Sequence, residues 1–297
     1  SAMPVFKARQ LCPHLIIKPI RSSVYRAESA RIREIFKEYT DVIEPLSLDE
    51  AYLDVSQRSE YAWTIAKEIR KKIFERTQLT ASAGVSCNKM LAKIASDWKK
   101  PNGQFAVLPE EVESFMKELP VKKIYGVGPK SEARLKSLGY ETCGDLQAVP
   151  LEELVRHFGP TWGMELFKLC RGQDDRRVEA GRIRKSMSTE TTFAMDLESV
   201  DVLAQELPDL LDELQTDLAK RHLESKVAKL FVKLKFSDFK TTTRECLGTN
   251  ILLDTYQELL EEAFSRNPNP VRLLGVGVRF EDPARLDERQ LELFDQD

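Results

Sequence analysis

Apolar residues recur along this chain with two different periods, and the switches between them divide it into units. Ile32, Ile35, Phe36 and Tyr39 fall at helical spacing and predict an amphipathic helix over residues 26–40. LSLDEAYLDV (46–55), entered through Pro45, predicts a strand, a tight turn and a second strand. Ile65, Ile69 and Ile73 repeat every fourth position and predict a helix over 60–76. TASAGVS (80–86) predicts a strand of small and β-branched residues. Asn88 then caps a helix bearing Met90, Leu91, Ile94 and Ala95, and KPNGQFAVL (100–108) turns into a further strand. This succession holds most of a ferredoxin-like α+β unit without its opening strand.

Residues 121–180 are helical and short-segmented, punctuated by glycines, and RGQDDRRVEAGRIR (171–184) predicts an exposed linker. Beyond it the periods predict strand (185–195), helix (199–223), strand (227–236), strand (240–247), helix (253–265) and strand (272–280), again a ferredoxin-like βαββαβ order. In VAKLFVKLKF (227–236), Ala228, Leu230, Val232, Leu234 and Phe236 face one way and Lys229, Lys233 and Lys235 the other. Same-face neighbours lie about 6.6 Å apart at ~3.3 Å rise per residue. From Glu281 no period is sustained, which predicts a disordered tail.

Composition narrows the class. With 31% charged and 42% hydrophobic residues, the chain of 297 residues reads as a multi-domain α+β globular protein with no membrane association. Five scattered cysteines without a CxxC pair predict reduced thiols and a cytoplasmic location. The opening Ser1-Ala2-Met3-Pro4 has no signal pattern and no initiator Met, so processing or truncation is expected. The net charge of −3 is uneven: residues 281–297 carry seven acids against two arginines, which leaves the rest at +2. That distribution, rather than the total, admits a nucleic-acid partner.

The strongest candidate chemistry is Asp49-Glu50. Adjacent acids at a strand–turn–strand edge offer oxygen ligands to Mg²⁺, which prefers one or two carboxylates plus substrate phosphates. Two such ions some 3.5–4 Å apart can activate an attacking oxygen and stabilise a leaving one. A bare acid pair is more commonly a solvated turn; here Leu46, Leu48 and Leu53 are expected to pack the hairpin into a core, and Asp54 reads either as a third acid nearby or, more commonly, as one half of a structural salt bridge. Lys100, held at a turn by Pro101 and Gly103, is a point charge suited to a phosphate. Lys89 and Lys93 share a helix face, which either reaches substrate or DNA or is simply exposed. Gly126-Val127-Gly128, with Lys122, Lys123 and Lys130 around it, has the form of a helix-hairpin-helix, whose glycines and helix N-terminus suit a DNA phosphate; a plain helix-pair turn is the alternative. His157–Gly163 is a weaker echo, and no histidine has ligand spacing. Lys185 extends the basic strand surface.

PLSLDEAYLDV (45–55) followed by SAGVSCNKMLAKIASDWKKPNGQF (82–105) resembles the palm of Y-family translesion DNA polymerases, of the bacterial DNA polymerase IV (DinB-like) type. The resemblance covers essentially the whole chain. It implies a fingers remnant at 1–19, a palm at 20–118, a small thumb at 119–174, a linker at 175–184, a little finger at 185–280 and a flexible tail at 281–297. It implies that Asp49 and Glu50 bind two Mg²⁺ ions, that Lys100 contacts the incoming dNTP, and that Gly126, Gly128, Lys130, Lys185, Lys229, Lys233 and Lys235 hold primer–template DNA. Gln290, Leu291, Leu293 and Phe294 resemble the peptide by which bacterial polymerases dock on the sliding clamp. The family's opening palm strand, with a further metal-binding aspartate, and its fingers Tyr and Arg find no match here. A monomer that is inactive or impaired as a 297-residue polypeptide is therefore expected. A non-catalytic, clamp-associated DNA-binding protein is the alternative. A nucleotide cyclase shares an acid hairpin but predicts neither the glycine turn nor the basic sheet.

Overall fold

Helical periods in the first third of the chain are realised as helices whose buried faces are the predicted ones. The computed structural model describes residues 3–181 and 183–281, in two units divided at residues 182 and 183. The first unit opens with α1 (Val5–Leu11), a short helix that buries no residue, and α2 (Ser22–Lys37). Then come β1 (Ile43–Pro45), β2 (Ala51–Leu53), α3 (Ala62–Thr77), β3 (Ala83–Ser86), α4 (Lys89–Trp98), β4 (Gln104–Val107) and α5 (Val112–Glu118). Ile35 and Tyr39 of the α2 segment pack against Ile65, Ile69 and Ile73 of α3 in one core. A second core starts from Met90, Leu91, Ile94 and Ala95 of α4 and runs on into the helices that follow. The expected palm–thumb boundary at 118/119 therefore crosses a continuous apolar cluster.

The strands of the first unit pair two by two, β1 with β2 antiparallel and β3 with β4 parallel, and these pairs do not join among the described residues. The hairpin strands are displaced from the expected positions. The first lies at Ile43–Pro45, before the Leu-Ser-Leu run, and residues 46–50 form the connecting loop. That loop is closed by the Leu46 and Ser47 N–H groups donating to Glu50 O at 2.9 and 3.3 Å. Leu46 and Leu48 are exposed, so they do not pack the hairpin into a core as expected; Leu53 alone of the three packs against the α2–α3 cluster. Asn88 caps α4 as predicted, its side chain accepting the Leu91 N–H at 3.0 Å.

After a 3₁₀ turn at Val121–Lys123 follow α6 (Pro129–Ser137), α7 (Cys143–Gln147), α8 (Leu151–Phe158) and α9 (Pro160–Leu169). Gly163 lies so close to the Leu154 backbone that a Cβ there would stand 2.7 Å from it, so the His157–Gly163 segment is a tight helix pair.

The second unit consists of β5 (Ser186–Leu197), α10 (Val200–Ala204), α11 (Leu207–Ala219), β6 (Val227–Phe236), β7 (Thr241–Leu247), α12 (Leu253–Phe264) and β8 (Val271–Phe280). The single helix expected over 199–223 is broken at Gln205–Glu206, where Pro208 opens the first turn of α11. The sheet order is β5-β8-β6-β7, antiparallel throughout. One face packs on α11 and α12 through Leu214, Leu230, Val232, Leu234, Tyr256 and Val276; the other is open. No helix among the described residues is long and apolar enough to cross a membrane.

The 171–184 stretch departs most from its expected state. Its side chains are largely exposed, but its backbone is fastened to the first unit. Asp174, with its carboxylate only 2% exposed, accepts the Met90 N–H at the start of α4 (2.9 Å) and is bracketed by Arg176 Nε and Nη2 at 2.7 and 2.8 Å. Glu44 of β1 accepts Lys89 Nζ (2.5 Å) and the Glu179 N–H (2.9 Å). Burial pushes both carboxyls up, but these donors outweigh it and hold Glu44 and Asp174 below the usual carboxylate range. The unfolded chain takes up protons at higher pH than the folded one, so this stabilisation is present above the ordinary carboxyl range and lost as pH falls through the lower folded values. Tryptophan fluorescence, which reports only the first unit through Trp63, Trp98 and Trp162, is expected to show falling stability from about pH 4.5 downward. Asp174→Asn is expected to flatten that acid limb, and equal slopes in the two proteins would refute the assignment.

Candidate active site

The acid pair sits in a loop shaped by one serine. Ser47 Oγ accepts the N–H groups of Asp49 (3.2 Å) and Glu50 (3.1 Å) and donates to Asp49 Oδ1 (2.5 Å). A hydroxyl that stands in for a backbone turn partner in this way fixes both the loop and one carboxylate. Ser47 was absent from the candidates, although a Ser two residues before an acid carries that signal. Both carboxylates are exposed, and α4 supplies their cation: Lys93 Nζ donates to Glu50 Oε2 at 2.9 Å.

Lys100 joins this group from the other end of α4. Gly103 could carry no Cβ, which would fall 1.7 Å from Lys99 O, so the Lys-Pro-Asn-Gly turn closes tightly on the helix end. The Lys100 ammonium bonds Asp97 Oδ1 at 2.5 Å. Asp97 first, with Glu50 and Asp49 adding, raises its pKa above the ordinary lysine value against the opposing effect of burial. Thus Asp49, Glu50 and Lys100, 50 residues apart in sequence, share one field. Asp54 lies outside it: its carboxylate accepts the Ser56 N–H at 2.9 Å and makes no salt bridge among the described residues, so a turn bond stands where a structural ion pair was expected. Lys89 is also elsewhere, buried against Glu44, so the predicted Lys89–Lys93 exposed face is divided between two roles.

Among the described residues, no group of three or more His, Cys, Asp or Glu side chains is arranged to hold an ion. The donors present are two hard carboxylates on an exposed loop with a cation alongside. They fit an ion that takes its remaining ligands from water and substrate oxygens, as Mg²⁺ does, and not a closed protein cage.

The glycine turn contains a left-handed residue that only its glycines could accommodate easily. Gly126 has φ +88°, and a Cβ there would meet Trp162 at 2.8 Å. Gly128 caps α6 with open space around it, and Lys130 is exposed one residue into that helix. The element before the turn is the 3₁₀ segment Val121–Lys123, not a full helix as expected.

On the other face of the second sheet, Lys229, Lys233 and Lys235 share one side of β6 as predicted, with Phe231 between Lys229 and Lys233, and Arg279 joins them opposite Lys229. The row is not purely basic. Lys229 bonds Glu245 (2.7 Å), Lys233 bonds Glu190 (2.7 Å), and Lys235 lies 4.8 Å from the centre of the Phe239 ring. These carboxylates come from β5 and β7, so strand pairing, which the single-strand pattern could not show, set their positions. Lys185 is exposed just before β5. Gln290, Leu291, Leu293 and Phe294 lie outside the described residues.

Comparison with known proteins accounts for these pieces together. The impB/mucB/samB family matches residues 1–97, its C-terminal domain matches 184–293, and a DNA polymerase-iota thumb domain matches 122–174. A protein named DNA polymerase IV from Legionella pneumophila subsp. pneumophila (strain Philadelphia 1) is 47% identical over 298 residues, covering 99% of this chain and 84% of its own length. Among solved structures, the Y-family DNA polymerase chimera Dbh-Dpo4(243-245)-Dbh is 30% identical with a TM-score of 0.82, over 93% of this chain and 82% of its own. An insertion ternary complex of Dbh DNA polymerase is 29% identical with a TM-score of 0.63, over 94% and 83%. Such polymerases depend on divalent metal. The acid loop, the glycine turn and the basic sheet thus stand one in each of the three matched segments, in order, and the chain belongs to the Y family of translesion DNA polymerases, with the DNA polymerase IV proteins.

Proposed function

We propose that the acid loop is the site of template-directed nucleotidyl transfer from a dNTP to a primer 3′-hydroxyl, the reaction of this family, with Asp49 and Glu50 holding two Mg²⁺ ions. The ions would supply Lewis-acid stabilisation of the attacking and leaving oxygens. The observation that carries the reading is the acid pair held against α4, whose Lys93 meets Glu50 at 2.9 Å and whose C-terminal turn carries Lys100, since a hydroxyl-to-phosphate transfer needs anionic oxygens and a phosphate-binding cation in one place. Lys100, charged and paired with Asp97 at an exposed position, would exchange that carboxylate for the triphosphate. Lys93 would leave Glu50 or shift along it as the nucleotide arrives.

Gly126, Gly128 and Lys130 would grip DNA through the backbone amides at the start of α6, without reading sequence. Lys185, Lys229, Lys233 and Lys235 would contact further phosphates, with Glu190 and Glu245 moderating the charge of that face. Gln290, Leu291, Leu293 and Phe294 would dock on the sliding clamp and raise the local concentration of the polymerase at primer ends. Action as a monomer in the cytoplasm completes the proposal.

The test is Lys100→Ala. Loss of one charge-assisted contact to the nucleotide corresponds to about 1.5–3 kcal/mol, so KM for dNTP is expected to rise roughly tenfold to a hundredfold with primer–template affinity unchanged. Equal KM values, or an equal loss of DNA binding, would remove Lys100 from the nucleotide site.

A further inference from the structure

Lys89 is a lysine at the first turn of a helix, yet its side chain is only 9% exposed. Its Nζ donates to Glu44 Oε2 (2.5 Å) and to Arg177 O (3.0 Å), and lies 5.3 Å from the centre of the Tyr52 ring. Beside it, Asp174 accepts the Met90 N–H and both prongs of Arg176, and the Arg176 guanidinium covers Tyr125 at 4.8 Å. Asn88 Nδ2 adds a bond to Gly172 O (2.8 Å). Two cations, Lys89 and Arg176, thus face two carboxylates, Glu44 and Asp174, in a charge-balanced cluster in which Lys89, Glu44 and Asp174 are largely buried and Arg176 covers Asp174 from the exposed side. Buried charges carry a large desolvation penalty unless each is paired, and here each is.

The geometry points to Lys89 as a positioning residue for the acid loop: with Asp174 it clamps residues 172–179 as a strut against β1, and the strut orients the hairpin bearing Asp49 and Glu50. Each strand of that hairpin has three residues, too few to hold an orientation alone. Leu46 and Leu48 are exposed and give the loop no apolar anchor. Glu44 and Tyr52 are direct partners across the hairpin, and both meet Lys89. The strut closes the arrangement from outside, where the Glu179 N–H reaches the same Glu44 oxygen and Arg177 O the same ammonium. It follows that the joint between the two units begins after Glu179, not at residue 175.

The inference rests on the reading of the acid loop only for its catalytic consequence, so its test is read without turnover. Hydrogen–deuterium exchange would be followed by mass spectrometry in the whole chain and in the Lys89→Met, Lys89→Arg and Asp174→Asn variants. Lys89→Met is expected to speed exchange roughly tenfold or more in both 44–54 and 173–180, with the second unit unchanged. Lys89→Arg, which keeps the charge and the donors, is expected to stay near the parent chain. Asp174→Asn leaves the Lys89–Glu44 pair in place and loosens the strut at its Asp174–Arg176 end, so it remains informative if Lys89→Met unfolds the whole unit. It too is expected to speed exchange in 44–54. Faster exchange confined to 173–180 in Asp174→Asn, or parent-like exchange of 44–54 in Lys89→Met, would overturn the proposal and leave the polymerase reading untouched.

Discussion

Asp49→Asn and Glu50→Gln are each expected to lower primer-extension turnover by roughly 10³-fold relative to the unsubstituted chain assayed alongside. A carboxylate that holds a divalent ion contributes through the ion's stabilisation of developing charge, several kcal/mol, and about 4 kcal/mol corresponds to about 10³ in rate. Both substitutions keep the shape of the side chain and remove its charge. Asp49→Asn retains an oxygen that can accept from the Ser47 hydroxyl, so the loop is expected to persist. Glu50→Gln would weaken the bond to Lys93, an exposed pair of small consequence for stability. Primer–template affinity is therefore expected to be unchanged, since the glycine turn and the basic sheet are untouched. Binding of Mn²⁺ in the presence of dNTP, followed by the loss of its free-ion paramagnetic signal, should fall in parallel. Turnover within tenfold of the parent in both variants would show that chemistry does not occur at this loop.

Gly84→Ala is expected to destabilise the first unit by about 3 kcal/mol or more, at the upper end of what overpacking a core costs. A Cβ at this position would stand 2.0 Å from Ala92 O and 2.3 Å from Ser96 N. Both atoms belong to the backbone of α4, so no side-chain rotation relieves the contact, and β3 and α4 must separate. Because α4 carries Met90, Leu91, Ile94 and Ala95 into the second core and presents Lys93 to Glu50, packing and site would suffer together. All three tryptophans lie in the first unit, so their fluorescence isolates its urea transition, while far-ultraviolet circular dichroism also follows the second unit. The fluorescence midpoint should drop and the remaining dichroism transition stay in place. An unchanged fluorescence midpoint would mean that β3 and α4 are not in contact in solution.

Much of this architecture was legible locally. Ile65, Ile69 and Ile73 announced the buried face of α3, Asn88 announced the start of α4, and the alternation in Val227–Phe236 announced which side of β6 is open. Each of those signals acts over at most a few residues, where propensity and periodicity dominate. The hairpin was harder. Leucines at 46 and 48 suggested strand and core, but the Ser47 hydroxyl and the Glu50 carbonyl draw residues 46–50 into a loop and leave both leucines exposed. The break between α10 and α11 was written in Pro208, which an unbroken apolar period concealed.

The sequence by itself determined the acid pair, the lysine before Pro-Asn-Gly, the glycine turn and the βαββαβ order of the second unit, because each is carried by neighbouring residues. Only the tertiary structure decided which charges are spent on one another. Lys89 meets a glutamate 45 residues away, Glu44 meets an amide 135 residues on, and Lys233 meets Glu190 from a strand that is not its sheet neighbour. A charged residue looks solvated in any local pattern, and its burial is tolerable only once a partner of opposite sign has been folded against it.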